Sequence, residues 1–382
     1  MHPRLFDLTE AQALVRNTAR DYAQKTLAPI AAQLDREARF PREQLAELAE
    51  LGLMGVNVPE QYGGAAAGAV AYALAMMEIA QGCASTAVTM AVNNLVAETI
   101  VRFGTEEQKK RYVPEITSGR FVAASFGLSE PHAGSDAGAL RTTARRDGAE
   151  FVINGSKQWI TSGDRAGVII VWARTGEPGT RGISAFLVEG GSNGLHVGRH
   201  EDKMGLRASS TVSLAFEDVR VPESAMLGPL GRGFPVALTA LDSGRVGIAC
   251  QAIGIGTAAL DAATRYAKER RAFGQPIADN QAIRFMLADS ATELDAARLL
   301  ALRAAAQKEA GKPFTREGSM AKVFATEKAN KACDVAVQVH GGYGYIDEFP
   351  VERHYRDARV TTIYEGSSEI QRIVIARHLL AD

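Results

Sequence analysis

Cysteine is nearly missing: the 382 residues hold three, Cys83, Cys250 and Cys333, far apart in the chain. An odd and sparse set builds neither a disulfide framework nor a zinc motif, and it suits a reducing compartment. Net charge is close to nil, with 43 Lys and Arg against 44 Asp and Glu. That balance leaves no electrostatic footprint for nucleic acid or an anionic membrane. No stretch makes the apolar run of a membrane span, because charges break the alanine-rich segments. Nor is there an apolar signal core. With Asp7 and Glu10 the N-terminus enters a helical pattern almost at once, so no secretory or transit peptide is expected. The expected location is cytoplasmic, or the mitochondrial matrix for a processed eukaryotic form.

P-loop, Gly-x-Ser-x-Gly elbow, internal repeat and low-complexity tract are also missing. Gly254-Ile-Gly-Thr-Ala-Ala259 spells a dinucleotide fingerprint. It lies inside a helical run from Arg245 to Ala267 with no strand before it, so helix packing is its expected use. His196 and His200 have a helical metal-ligand spacing, but Gly194 and Gly198 oppose a helix there and no third ligand is in sight. No metal is expected.

What is present is core: 46% of residues are hydrophobic, enough for two or three domains. From Leu8 to about Arg120 apolar residues recur at helical spacing, ending in the lean runs Ala71–Ala80 and Ala84–Phe103, which could line a tunnel for an apolar chain. From about Phe121 the character changes to short β-rich runs, 122–128, 151–153, 168–172, 183–188 and 211–216, separated by Gly, Asp and Asn turns. Gly228-Pro-Leu-Gly-Arg-Gly233 reads as a linker, after which the pattern is helical again, with a long amphipathic run from Ala282 to Gly311. The expected layout is an N-terminal α-helical domain (1–120), a middle β domain (121–232) and a C-terminal α-helical domain (233–382). Strands grouped between helical blocks argue against a doubly wound sheet.

The most informative stretch is Ile363-Tyr-Glu-Gly-Ser-Ser-Glu-Ile-Gln-Arg372. Ser368 and Gln371 have the spacing of a capping box opening a helix, so free backbone N–H groups should follow Glu365 directly. Gly366 lets a ligand approach the backbone. A carboxylate beside anion-stabilising donors suits removal of a C–H proton next to a carbonyl. The same residues also suit an ordinary capped terminal helix with Glu365 in a solvated loop. At the base two effects oppose: a dry pocket raises its pKa, and the following helix N-terminus lowers it.

With Gln338-Val-His-Gly-Gly-Tyr-Gly-Tyr345 and Pro350-Val-Glu-Arg-His-Tyr-Arg-Asp357, this stretch resembles the C-terminal signature of acyl-CoA dehydrogenases. Matches run along nearly the whole chain, through Cys83-Ala-Ser-Thr86 and Val92-Asn-Asn94, and lie nearest the short-chain, butyryl-type branch. The resemblance implies a mainly α fold with an inserted, barrel-like β domain and a C-terminal four-helix bundle, one FAD per subunit, and a homotetramer. It implies Glu365 as the base that takes the substrate α-proton while a β-hydride passes to flavin N5, giving a trans-2-enoyl-CoA. In other members the base is a Glu just before the Arg of a motif matching Leu241-Asp-Ser-Gly-Arg245, at the start of the helix bordering the acyl-CoA; here Gly244 stands in its place.

For the cofactor, Phe126-Gly-Leu-Ser-Glu-Pro-His-Ala-Gly-Ser-Asp136 resembles the flavin-binding turn, which implies contacts from Phe126, Leu128, Ser129, Gly134 and Ser135. His132 stands where glycine is more usual. Asn154-Gly-Ser-Lys-Gln-Trp-Ile-Thr-Ser162 resembles the wall of the isoalloxazine, implying Trp159, Ile160 and Thr161. Arg270 and Phe273, with Gln281, resemble the segment reaching a neighbouring subunit's flavin. Gln338, Val339, His340, Gly341 and Gly342 are implied from the first C-terminal motif, and Ser367, Ser368 and Glu369 from the last. For the acyl-CoA the implied contacts are Ser135, Asp242, Ser243, Gly244, Arg245 and Gly366. Electron-transferring flavoprotein is the implied acceptor. Branched short-chain or medium-chain substrates, an acyl-CoA oxidase, and a non-catalytic CoA- or flavin-binding protein are the alternatives.

Overall fold

A computed structural model describes residues 8–381; Asp7 and the other terminal residues lie outside it. Six helices come first: α1 (Glu10–Tyr22), α2 (Ala28–Arg36), α3 (Arg42–Glu50), α4 (Ala69–Gly82), α5 (Ala84–Phe103) and α6 (Glu106–Thr117). The alanine content expected to give lean helices lets α4 and α5 pack at close quarters, and nearly every residue of both is buried.

Seven strands follow: β1 (Ala123–Gly127), β2 (Thr143–Asp147), β3 (Glu150–Thr161), β4 (Ala166–Arg174), β5 (Ile183–Glu189), β6 (Leu195–His200) and β7 (Thr211–Pro222). They form one sheet in the order β1-β4-β2-β3-β7-β6, with β5 also paired to β4. The sheet does not close into a barrel. Continuous apolar runs such as Val168–Trp172 are buried on both faces, as a central strand requires. His196 and His200 lie on β6, so the helical spacing considered for them does not arise.

The C-terminal helices are α7 (Gly233–Glu269), α8 (Gln281–Glu309), α9 (Thr315–His340), α10 (Val351–Arg359) and α11 (Ser368–Leu379), with a small hairpin of β8 (Arg271–Ala272) and β9 (Gln275–Pro276) after α7. Helices α7, α8 and α9 pack mutually, and α10 and α11 lie against α9. The Gly254–Ala259 fingerprint is a packing device: a Cβ at Gly254 would stand 2.4 Å from the Met77 carbonyl oxygen of α4. Against the expectation of no span-length apolar run, α7 is long and apolar enough to cross a membrane by composition, yet 78% of that window is buried inside the fold. Its Gly and Ala positions fill the space between α4, α5 and α9. The motif at Leu241 lies inside α7 and not at its start.

Candidate active site

Glu365 precedes α11 in a turn that most residues avoid, with φ +52° there and +88° at Gly366. Such left-handed backbone costs a non-glycine residue about 1–3 kcal/mol and is held only where its surroundings enforce it. The surroundings are visible. Gln371 Nε2 of α11 and Lys322 Nζ of α9 both donate to the Gly366 carbonyl, at 2.8 and 2.5 Å. The expected capping box is therefore not formed: Ser367 is the N-cap residue, Gln371 is turned to Gly366, and the buried Ser368 hydroxyl has no partner.

The Glu365 residue opens on a cavity, while its Oε2 is closed to solvent and unpaired. Burial pushes its pKa up to about 7, against the lowering pull of Lys322 and then Arg245. Two buried cations thus supply a downward pull that the sequence did not single out. Gly244 makes room for the acid, since a Cβ there would fall 1.7 Å from Glu365 Oε2. Behind it Arg245 Nη1 donates to Asp242 at 2.7 Å and to Ser319 at 3.2 Å, and Thr315 also donates to Asp242 at 2.6 Å. Arg245 Nε is buried without a partner.

The cavity measures about 350 Å³ and lies where the three groups of elements meet. Of the expected residues it brings together Phe126, Leu128, Ser129, Gly134, Ser135, Trp159, Ile160 and Thr161 with Arg245, Glu365 and Gly366. A register shift between Lys157 and Ile160 in the pairing of β3 with β7 turns Trp159 out, with φ +58° and 58% of its surface exposed. An indole left bare on a cavity wall offers a flat face for stacking. Under the turn from Leu128, buried Lys157 donates to the Leu128 carbonyl and to Glu130, whose carboxylate also accepts from the Arg141 and Thr142 backbone N–H groups. His132 is outside the cavity lining, its Nε2 3.5 Å from Glu130.

The lean run Ala84–Phe103, expected as a possible tunnel wall, contributes Val88 and Val92 to the lining, whereas Phe234, Leu238 and Tyr364 were not singled out in the sequence. Val88 and Val92 of α5, with Phe234, Leu238 and Leu241 of α7, give the cavity an apolar side. Tyr364 also lines it, its hydroxyl donating to Gln251, which in turn donates to the Ala84 carbonyl at 3.0 Å. Adjacency to Glu365 was the available signal for Tyr364.

The remaining expected cofactor residues do not reach this cavity. Arg270, Gln338, Val339, His340, Gly341 and Gly342 line a second one of about 460 Å³ beside Tyr266. His340 stacks on Tyr266 at 4.2 Å between ring centroids. Phe273, at the tip of the β8–β9 hairpin, is fully exposed, and Gln281 is exposed as well. Asp242 supports Arg245 from outside the lining, Ser243 is also outside it, and Ser367 and Glu369 stay at the start of α11. At Gly134, Gly341 and Gly342 an added Cβ would meet nothing within 4 Å. Both cavities therefore keep open glycine floors of the kind a large planar and phosphate-bearing group needs.

Family models described as acyl-CoA dehydrogenase N-terminal, middle and C-terminal domain match residues 9–120, 125–219 and 231–380. The mitochondrial short-chain specific acyl-CoA dehydrogenase of Bos taurus is 53% identical over 376 residues, covering 98% of this chain and 91% of its own. The solved butyryl-CoA dehydrogenase of Megasphaera elsdenii superposes with TM-score 0.96 at 42% identity, covering 98% of this chain and all of its own. A chain in the structure of the electron transferring flavoprotein of Acidaminococcus fermentans, studied for flavin-based electron bifurcation, superposes at 0.97 with 43% identity, covering 99% of this chain and all of its own.

Proposed function

The chain belongs to the acyl-CoA dehydrogenase family and is an enzyme of that class, and from that premise we propose that it dehydrogenates a short-chain acyl-CoA to the trans-2-enoyl-CoA with Glu365 as the base. The observation that carries this is the Glu365 carboxylate: unpaired, pushed up to about 7, and on a cavity that Trp159 and Thr161 also line. A general base works best with a pKa near the operating pH. An acid that is half ionised at neutrality can take a weakly acidic α-proton and still release it.

FAD is the cofactor this reading requires, and when bound it supplies the hydride acceptor. The open floor at Gly134, the bared Trp159 and the Thr161 backbone, which Ser125 Oγ fixes through the Thr161 carbonyl at 2.7 Å, suit its ring end. The chain's own residues then divide the work. The cavity excludes water and holds the acyl chain against Val88, Val92 and Leu241. The Glu365 backbone N–H polarises the thioester oxygen, where charge develops as the α-proton leaves. Glu365 holds the abstracted proton. The second cavity, with Arg270 and the exposed Phe273, is assigned to the flavin of a neighbouring subunit, which makes the working unit a homo-oligomer, a tetramer by the family's habit. Arg270 suits a pyrophosphate by its planar, permanently charged fork.

Butyryl-CoA is the proposed substrate. The likeness to the short-chain and butyryl-CoA relatives supports it. Electrons are proposed to leave to an electron-transferring flavoprotein, in line with the likeness to the Acidaminococcus fermentans chain. We place the domain boundaries near residues 120 and 232, and the enzyme in a reducing compartment, in keeping with three buried, unpaired cysteines.

The test is a ladder of acyl-CoAs, from propionyl to octanoyl with isobutyryl and 2-methylbutyryl, assayed anaerobically with an artificial electron acceptor and aerobically for peroxide. Butyryl-CoA should give the highest kcat/KM without peroxide. A preference for octanoyl-CoA would overturn the chain length, and stoichiometric peroxide would make the enzyme an oxidase.

A further inference from the structure

The inner face of α9 carries small residues, Ala321, Ala325, Ala329 and Cys333, and among them Lys322 has no solvent exposure. An ammonium in such a place costs several kcal/mol unless it is hydrogen-bonded and paired. Among the described residues its Nζ donates only to the Gly366 carbonyl, at 2.5 Å. Packing alone would be served as well by an apolar side chain of similar volume. The charge therefore has a use, and the group next to it that gains from a charge is Glu365. Arg245, the other cation facing the acid, is already committed to Asp242 and Ser319.

We propose that Lys322 is a positioning residue for Glu365: its ammonium pins the 365–366 turn through the Gly366 carbonyl and supplies the countercharge that keeps the buried carboxylate ionisable at neutral pH. This rests on Glu365 being the base. The groups that face the pair are Arg245 of α7, Tyr72 of α4, Tyr364 and Glu369. None of the four replaces Lys322: the two tyrosines are neutral at working pH, Arg245 is shared with Asp242, and Glu369 is a like charge to Glu365. Burial pushes Lys322 down to about 8, and Glu365 pulls it back up.

Three variants separate the two roles. Lys322→Gln keeps a donor for Gly366 and loses the charge, Lys322→Met loses both, and Lys322→Arg keeps the charge. Two quantities are followed against pH in FAD-loaded protein: the rate of anaerobic flavin reduction by butyryl-CoA, and the infrared carboxyl band that disappears in Glu365→Gln. In Lys322→Gln and Lys322→Met both midpoints should rise by roughly one pH unit, as the loss of a nearby opposite charge requires. Lys322→Arg should restore them, and only Lys322→Met should also lower the plateau rate. Unmoved midpoints in Lys322→Gln and Lys322→Met overturn the proposal. Should Lys322→Met not retain FAD, Lys322→Gln against Lys322→Arg decides it. Glu365→Gln, run alongside, isolates the premise: wild-type reduction there removes the base assignment itself, whereas an inactive Glu365→Gln with unmoved Lys322 midpoints removes only the role of Lys322.

Discussion

At the scale of single residues, the site is built around an acid whose surroundings oppose its ionisation. Between the pKa of the unfolded chain and about 7 the folded protein binds more protons at Glu365 than the unfolded one, so its stability falls as pH rises through that window. Glu365→Gln removes this term. Its Tm should exceed that of the wild type at pH 8 and match it near pH 4.5; equal Tm values at pH 8 would contradict the burial of the charge. The second residue of consequence is a glycine. At Gly244 the atom an added methyl would meet is the mobile end of Glu365, 1.7 Å away. Gly244→Ala should therefore fold normally and push the carboxylate aside. A displacement of that order costs roughly 10²-fold in rate. Comparison of kcat/KM and Tm in the two proteins checks it: activity should fall and stability hold.

At the scale of elements, what the sequence made legible follows from which forces left a periodic trace. The strands with continuous apolar runs, such as β4, and the alanine helices α4 and α5 were evident because burial dictates their composition. Strands β2 and β6 were not: Thr143–Asp147 and Leu195–His200 are mostly exposed and carry Arg, Asp and His, so hydrophobicity leaves no pattern in them. The helix start at Ser368 was legible and its cap was not. Thr105 and Gln108 form the reciprocal box at α6, but at α11 the same spacing is overridden because Gln371 is needed at Gly366. Lys322 left a trace that went unused: with Thr326, Ala329, Cys333 and Ala336 it repeats at helical spacing on a buried face, and a lysine in such register is a request for a partner. The glycines of α7 are a further consequence of packing. A Cβ at Gly254 would meet backbone, which cannot turn aside, so Gly254→Ala should separate α7 from α4 and cost about 1–3 kcal/mol. Urea unfolding measures this, and an unchanged midpoint would contradict the close approach.

At the scale of the whole molecule, Arg356 of α10 ties the three groups of elements together. Its guanidinium donates to Asp35 of α2 at 2.7 Å, to the Met204 carbonyl of the β domain at 3.1 Å and to Glu352 of α10 itself at 2.7 Å. Next to it Asp357 accepts from the Leu206 backbone N–H at 2.6 Å. Removing one partner of a buried pair leaves the other uncompensated, so Arg356→Ala should cost about 3 kcal/mol, read as a lowered urea midpoint; a loss under ~0.5 kcal/mol, the size of an exposed pair, would contradict the node. The resemblance set Arg270, Phe273 and Gln281 apart from the other cofactor residues, but that Gln338–Gly342 line the same cavity as Arg270 was beyond the reach of a sequence, since no local pattern tells which distant motifs share a cavity.

We propose that Glu365 removes the α-proton of a short acyl-CoA. This role is tested most directly by anaerobic titration of the FAD-loaded enzyme and of Glu365→Gln with butyryl-CoA, followed by visible flavin absorbance. Stoichiometric bleaching is expected in the wild type and, in Glu365→Gln, retained FAD and bound ligand with reduction slowed by roughly 10³-fold or more. Bleaching of Glu365→Gln at the wild-type rate would contradict the role.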